Sequence, residues 1–343
     1  MLPGDLPVVE DDAAFDDVQD KLLAAHIGDG LPMVPPTEAR VGRMLDGVVD
    51  RDRSYGLVPP LFGELTPRVV GYYAAVAGCR PTELPLVLAA ARACLAPEFN
   101  LMGIQTTTGT AAVAMIGHGS VVTKLGLNAG ANCLGPGNRV NACVGRAVSL
   151  LLRGVGGAEP GVVDMATTGQ PGKYTFCAAE STTGIYRGLA MRRGLVPDLG
   201  AVTVIGVGGT AEVLPLAGGG TVEETLAPLA EMLAGSACSA GDPGRMATGE
   251  QFFLLPPEVA QNLVKLGASL ESIQQYLFDR GNAELRRRMA NLPVSGVEGG
   301  CAQVARDAAD IHPVVAGGIG IKMQYLAPWI GGTRSVTRVV EGI

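Results

Sequence analysis

The sequence is poor in charge, in aromatic side chains and in histidine, and each shortage removes a class of function. Only 17% of the 343 residues are charged and the formal net charge is −7. There is therefore no basic face of the kind a nucleic-acid partner requires. The densest basic run, Arg286-Arg287-Arg288, reads as the solvated side of a helix. The three histidines, His26, His118 and His312, show no His-x-x-x-His spacing, so no histidine-rich metal centre is expected and no metal is assigned. No stretch reaches the roughly 18 consecutive apolar residues of a membrane span. The opening Met1-Leu2-Pro3-Gly4-Asp5 lacks the basic and apolar segments of a secretory signal. Seven cysteines include no CxxC pair, which fits free thiols in a reducing compartment. These absences predict a cytoplasmic protein with no nucleic-acid or membrane partner. The low aromatic and high apolar content favours a homo-oligomer.

Glycine, by contrast, is abundant: 49 residues, about twice the usual share of roughly 7%. The glycines cluster after apolar runs, where tight turns belong. Ala111 to Ile116 runs into Gly117-His118-Gly119, Ala201 to Ile205 into Gly206-Val207-Gly208-Gly209, and His312 to Val315 into Ala316-Gly317-Gly318. Short, uninterrupted apolar runs suit strands buried on both faces, as in a parallel sheet. Helical spacing covers residues 12–27, 66–77, 83–95, 138–153, 257–266, 270–279 and 282–291. Thr37 caps a further helix to Leu45, and Thr221 with Glu224 forms a capping box for 221–235. The expected fold is α/β, with a mostly buried, largely parallel sheet, glycine-rich strand-to-helix turns, a mainly helical portion over 1–100 and an α/β core over 101–343.

Two stretches carry the candidate chemistry. In the first, a glycine-rich loop from Gly130 to Gly137 feeds a helix beginning near Asn138. Backbone N–H groups at such a helix start suit a carboxylate or phosphate, so Gly135, Gly137, Asn138 and Arg139 are expected substrate-binding residues. The loop is neither a Walker A nor a dinucleotide GxGxxG motif, and no cofactor motif is recognisable. In the second, Lys173, Tyr174, Cys177 and Glu180 fall within eight residues. A lysine beside a cysteine would lower the thiol pKa, making Cys177 a nucleophile or redox thiol assisted by Lys173 and Glu180, with Tyr174 on substrate. His118, after a strand end, is a candidate acid–base group. Gly317, Gly318 and Lys322 form a second glycine turn that completes a pocket. Cys133 and Cys301 are weaker thiol candidates, and Thr106-Thr107-Thr108 could lend hydroxyls.

Five segments together have a family likeness: Gly30 to Thr37 (GLPMVPPT), Ala77 to Pro81 (AGCRP), Pro97 to Asn100 (PEFN), Leu134 to Arg139 (LGPGNR) and Pro171 to Cys177 (PGKYTFC). In this order they resemble a largely uncharacterised bacterial family associated with UGSC (seleno)proteins, over about residues 28–190 and more loosely through Val314 to Gly318. The resemblance implies a short redox partner in which selenocysteine or cysteine precedes Gly-Ser-Cys. No such motif lies in this chain. The chain also departs from the pattern: Ala178 to Thr183 replaces an acidic run ending in Ser-Pro-Trp, and Asn132-Cys133 replaces small residues. The sequence thus predicts an enzyme for a small anionic or acyl substrate, working by thiol-dependent redox or by carbon–heteroatom bond chemistry of lyase or transferase type. The alternatives are a non-catalytic substrate-binding or scaffold subunit of a redox complex, and a metal-dependent hydrolase using Asp307 and Asp310.

Overall fold

Helices start where the sequence supplies capping oxygens. Thr37 Oγ1 accepts from the Arg40 N–H, Thr66 Oγ1 from Val69, Asn138 Oδ1 from Asn141, and Thr221 with Glu224 closes a capping box. The computed structural model describes residues 6–240, 249–290 and 302–342. In chain order these hold helices α1 (Phe15–Ala24) and α2 (Glu38–Met44), a small hairpin of β1 (Leu57–Val58) and β2 (Gly63–Glu64), then α3 (Pro67–Val76), α4 (Leu84–Cys94) and α5 (Leu101–Thr106). The middle contains β3 (Ala112–His118), α6 (Ser120–Leu125), α7 (Arg139–Gly156), β4 (Cys177–Ala179), α8 (Leu189–Arg192) and β5 (Ala201–Val213). The last third holds α9 (Val222–Ser239), β6 (Gln251–Leu255), α10 (Pro257–Lys265), α11 (Leu270–Met289), β7 (Ile311–Val315), β8 (Met323–Pro328) and β9 (Val336–Val339). The helices expected over 270–279 and 282–291 are one: α11 runs through Gly281, whose bare Cα lets the Val304 side chain pack against it.

The fold is α/β, but the sheet is mixed, which corrects the largely parallel expectation. Its order is β4-β3-β5-β8-β6-β7, with β9 also on β5. Only β3 with β4 and β6 with β7 are parallel; every other pairing is antiparallel. The expected glycine turn at 206–209 lies inside β5, which continues to Val213 with a register shift between Val207 and Gly209. Of the three expected glycine turns, the one after β3 leads directly into a helix, α6, at Gly119.

Burial of both strand faces has another origin than parallel pairing: the sheet curls. In a flat sheet of this order β4 and β7 would lie five spacings, about 24 Å, apart. Instead the Ser181 N–H donates to the Val315 carbonyl at 2.7 Å. Alternate residues of six strands (Ala112, Ala114 and Ile116; Ala178; Ile205 and Val207; Phe252 and Leu254; Val314; Leu326) then form one inner core. The outward residues pack in two separate layers. One joins Cys177, Val202 and Val204 to α3, α4 and α7; the other joins Phe253, Tyr325 and Val315 to α9, α10 and α11.

Candidate functional site

A cavity of 610 Å³ lies between α5, the start of β3, α7 and the irregular segment 158–174. Its walls are largely apolar, with Ile104, Val113, Leu150 and Leu152, and its charged groups are Asp164 and Lys173 on the irregular segment, Arg153 on α7 and Asp29. The chain leaves α7 at Gly157 in the left-handed region (φ 73°). The Gln170 amide fastens the returning segment to the Thr110 and Val207 carbonyls, the latter at 2.9 Å. A 3-10 turn over Pro171–Lys173 then sets Lys173 Nζ 2.6 and 2.8 Å from the two Asp164 oxygens. Arg153 reaches the same cavity from α7, with Nη2 at 3.0 and 2.9 Å from Glu159 and Nη1 on the Gly28 carbonyl. Its Nε is buried without a partner. Asp29 forms a further part of the wall, tied to Arg146 Nε and Nη2 at 2.8 Å. Burial opposes its ionisation, yet Arg146 and the Leu31 N–H hold its carboxyl below the usual range. Tyr174 stands half-exposed at the rim.

The expected grouping of Lys173, Cys177 and Glu180 is not formed. Lys173 is taken by Asp164. Cys177 faces outward beneath α7, its Cβ 3.1 Å from where a Cβ on Gly145 would stand. Burial pushes its thiol up to about 12, with no cation to oppose it. This removes the physical basis for a thiolate at Cys177. Cys133 is buried too, with its thiol raised by burial, and Cys301 lies outside the described residues.

Glu180 points into the curled sheet and meets His118 there: Nδ1 to Oε2 is 2.8 Å. The Leu189 N–H donates to both Glu180 oxygens, at 3.1 and 2.9 Å. His118 Nε2 lies 2.8 Å from Thr203 Oγ1, which lies 2.7 Å from Thr337 Oγ1. Arg193 extends the chain from Thr337, at 2.8 Å, to Glu250, at 3.2 Å, and Glu250 lies 3.1 Å from His312 Nε2. Burial opposes the ionisation of Glu250, but His312, the Ser335 N–H and Arg193 prevail and bring its carboxyl down to about 2. Burial lowers the His312 pKa. His118 and Glu180, expected separately, are thus partners, and sequence reading missed Thr203, Thr337, Arg193 and Glu250. The period-two pattern carries a signal for one of them: Thr203, Ile205 and Val207 share the inner face of β5, as His118 shares that of β3.

Near the end of this chain, ligand atoms of Glu250, Asp310 and His312 lie within 4.8 Å of one another. Arg334 and Arg306 each contact Asp310, at 2.6 and 2.8 Å, while Arg193 and Arg334 lie on Glu250. With Asp307 also 3.5 Å from Arg306, three guanidiniums meet three carboxylates, so these oxygens are already countered and the group fits an ion-pair cluster. Asp307, paired with Asp310 in the hydrolase alternative, caps a turn by accepting from the Asp310 N–H at 3.2 Å.

In the glycine-rich loop the expected anion donors are already used. Asn138 caps α7, and Arg139 binds Glu83 and, at 3.1 Å, the Gly78 carbonyl. Gly135 packs against the Asn132 side chain, while Gly137 adopts φ 116°. Gly317 does meet this loop, its N–H donating to the Ala129 carbonyl at 2.8 Å, and Gly318 abuts Ala131. Lys322 instead pairs on the surface with Glu212 at 3.4 Å. Of the expected site residues, only Lys173 and Tyr174 share a cavity with unengaged space. No known protein-family model matches the chain, and no curated protein matches it.

Proposed function

We propose that the protein is an enzyme acting on a small anionic or acyl substrate held in the 610 Å³ cavity between α5, β3 and α7. The observation that carries this reading is the Lys173–Asp164 pair at a largely apolar cavity that Arg153 also lines. An ammonium has three N–H donors. Two face Asp164 and leave one for a substrate carbonyl or carboxylate oxygen, while the Arg153 guanidinium adds positive charge to the wall. Lys173 polarises the substrate and stabilises developing negative charge. Asp164, 2.6 Å away, accepts the substrate proton. Carbon–heteroatom bond chemistry of lyase or transferase type suits these groups better than thiol redox, because the cavity lining includes no cysteine among the described residues.

The test is a thermal-shift screen of small carboxylates and acyl compounds against the wild type, K173Q and D164N. Hits that stabilise the wild type should lose most of their shift in K173Q. Equal shifts in both would sink the reading. A second reading, a binding subunit without catalysis, is favoured by the inert burial of Cys177, since it requires no reactive thiol. D164N separates the two: an enzyme binds the hit but loses turnover, whereas a binding subunit shows no turnover in the wild type either.

A further inference from the structure

A separate cavity of 380 Å³ opens between the loop before β1, the N-terminal end of α3, one side of α4 from Leu84 to Arg92, and the end of β9. Arg53 and Arg92 line it, and their guanidinium carbons lie 5.2 and 4.4 Å from the centroid of the Tyr55 ring. Arg338 stands behind them on β9; burial and then the neighbouring Arg92 charge lower its pKa. Arginines are usually consumed by local acceptors, as Arg139, Arg146, Arg153 and Arg193 are here. Among the described residues, none of these three guanidiniums makes a hydrogen bond. Arg92 has one loose ion pair, 3.6 Å to a Glu341 whose side chain is 75% exposed, and Arg338 Nε is buried without a partner. The acidic groups facing them are Asp50, Glu341 and Glu98, and Asp50 Oδ1 already accepts the Asp52 N–H at 3.3 Å.

Two guanidiniums at the cavity, neither held by a side-chain hydrogen bond, form a site for an oxyanion, and the planar fork suits phosphate geometry. The remaining wall, with Leu84, Leu88 and Val339, is apolar. We propose that this cavity binds a small organic phosphate. Arg53 and Arg92 grip the phosphate oxygens, Arg338 adds to the field behind them, and Leu88 and Val339 take the apolar body. The site is independent of the Lys173 cavity and stands or falls separately.

Phenyl phosphate and benzoate are the probes, titrated calorimetrically into the folded wild-type chain and into R53Q, R92Q and K173Q. The expected result is saturable binding of phenyl phosphate, weakened at least about tenfold in R92Q and in R53Q and unchanged in K173Q; tenfold is the loss of one charge-assisted contact of roughly 1.4 kcal/mol. Circular dichroism establishes that each variant is folded, and R53Q alone decides the matter should R92Q not fold. Absence of binding at millimolar concentration, or equal affinity in R53Q and wild type, overturns the site. Benzoate binding as tightly as phenyl phosphate overturns the phosphate assignment.

Discussion

Inside the curled sheet Glu250 is met by His312, Arg193, Arg334 and the Ser335 N–H; at the large cavity Lys173 Nζ is met only by Asp164. Both regions use charged residues from adjoining segments, and both pair them. They differ in what is left over. The inner chain from Glu180 to His312 spends its hydrogen-bonding capacity on itself, apart from the His312 Nδ1, which is buried without a partner. The cavity wall leaves one lysine donor beside space that a ligand can fill. A polar network closed on itself fixes the strands; one left open has donors to spare.

The largest effect that tests this contrast is the loss of Glu250. E250Q leaves Arg193 short of its buried counter-charge and should destabilise the fold by about 3 kcal/mol, in line with breaking a buried pair. K173Q, at a partly exposed pair, should cost less than about 1 kcal/mol. Urea melts of the two variants would erase the contrast if their costs were equal.

Acid should find the inner region next. The Glu250 carboxyl is held down to about 2 in the fold, against the ordinary 4.5. In that interval the unfolded chain binds the extra proton, so this stabilisation is present above pH 4.5 and is lost as pH falls towards 2. His312, lowered from 6.5 by burial, acts in the same direction: the unfolded chain takes up its proton first as pH drops below 6.5. Stability followed by chemical melts from pH 7 to pH 3 should therefore fall steadily in the wild type. In E250Q the part of the slope below pH 4.5 should flatten.

The smallest effect concerns Cys177. Its thiol, pushed from 9.0 up to about 12, should resist alkylation at pH 8 while half-buried Cys143 and Cys238 react first. Because the fold holds that proton and the unfolded chain releases it, stability should decline as pH rises above 9. Peptide mapping after brief alkylation checks the first point. Preferential labelling of Cys177 would restore the thiolate reading.

Much of the helical architecture was legible in the sequence, because caps act locally: Thr37, Asn138, and Thr221 with Glu224 announce their helices wherever they lie. The sheet was not. Apolar runs in β3, β5 and β7 are buried on both faces because the sheet curls around its own core, and periodicity cannot distinguish that from parallel strands between helices. The same limit governed the site. Lys173 and Tyr174 were singled out because their residue types lie close together in the chain. Their acidic partner Asp164 was not, because only the 3-10 turn at Pro171–Lys173 brings the two together. The proximity of Lys173 to Cys177 along the chain suggested contact, yet the pleat turns Cys177 outward. His118 and Glu180 were each singled out, but their pairing depends on the parallel register of β3 and β4, in which Gly117 faces Ala179.

β5 runs for 13 residues, about 43 Å at roughly 3.3 Å per residue. Val202 and Val204 belong to the first outer layer, Ile205 and Val207 to the inner core, and Val213 to the second outer layer. One unbroken backbone is therefore a structural member of all three hydrophobic cores. No layer can melt alone without stripping partners from that strand, so the chain is built to unfold in a single cooperative transition rather than by halves.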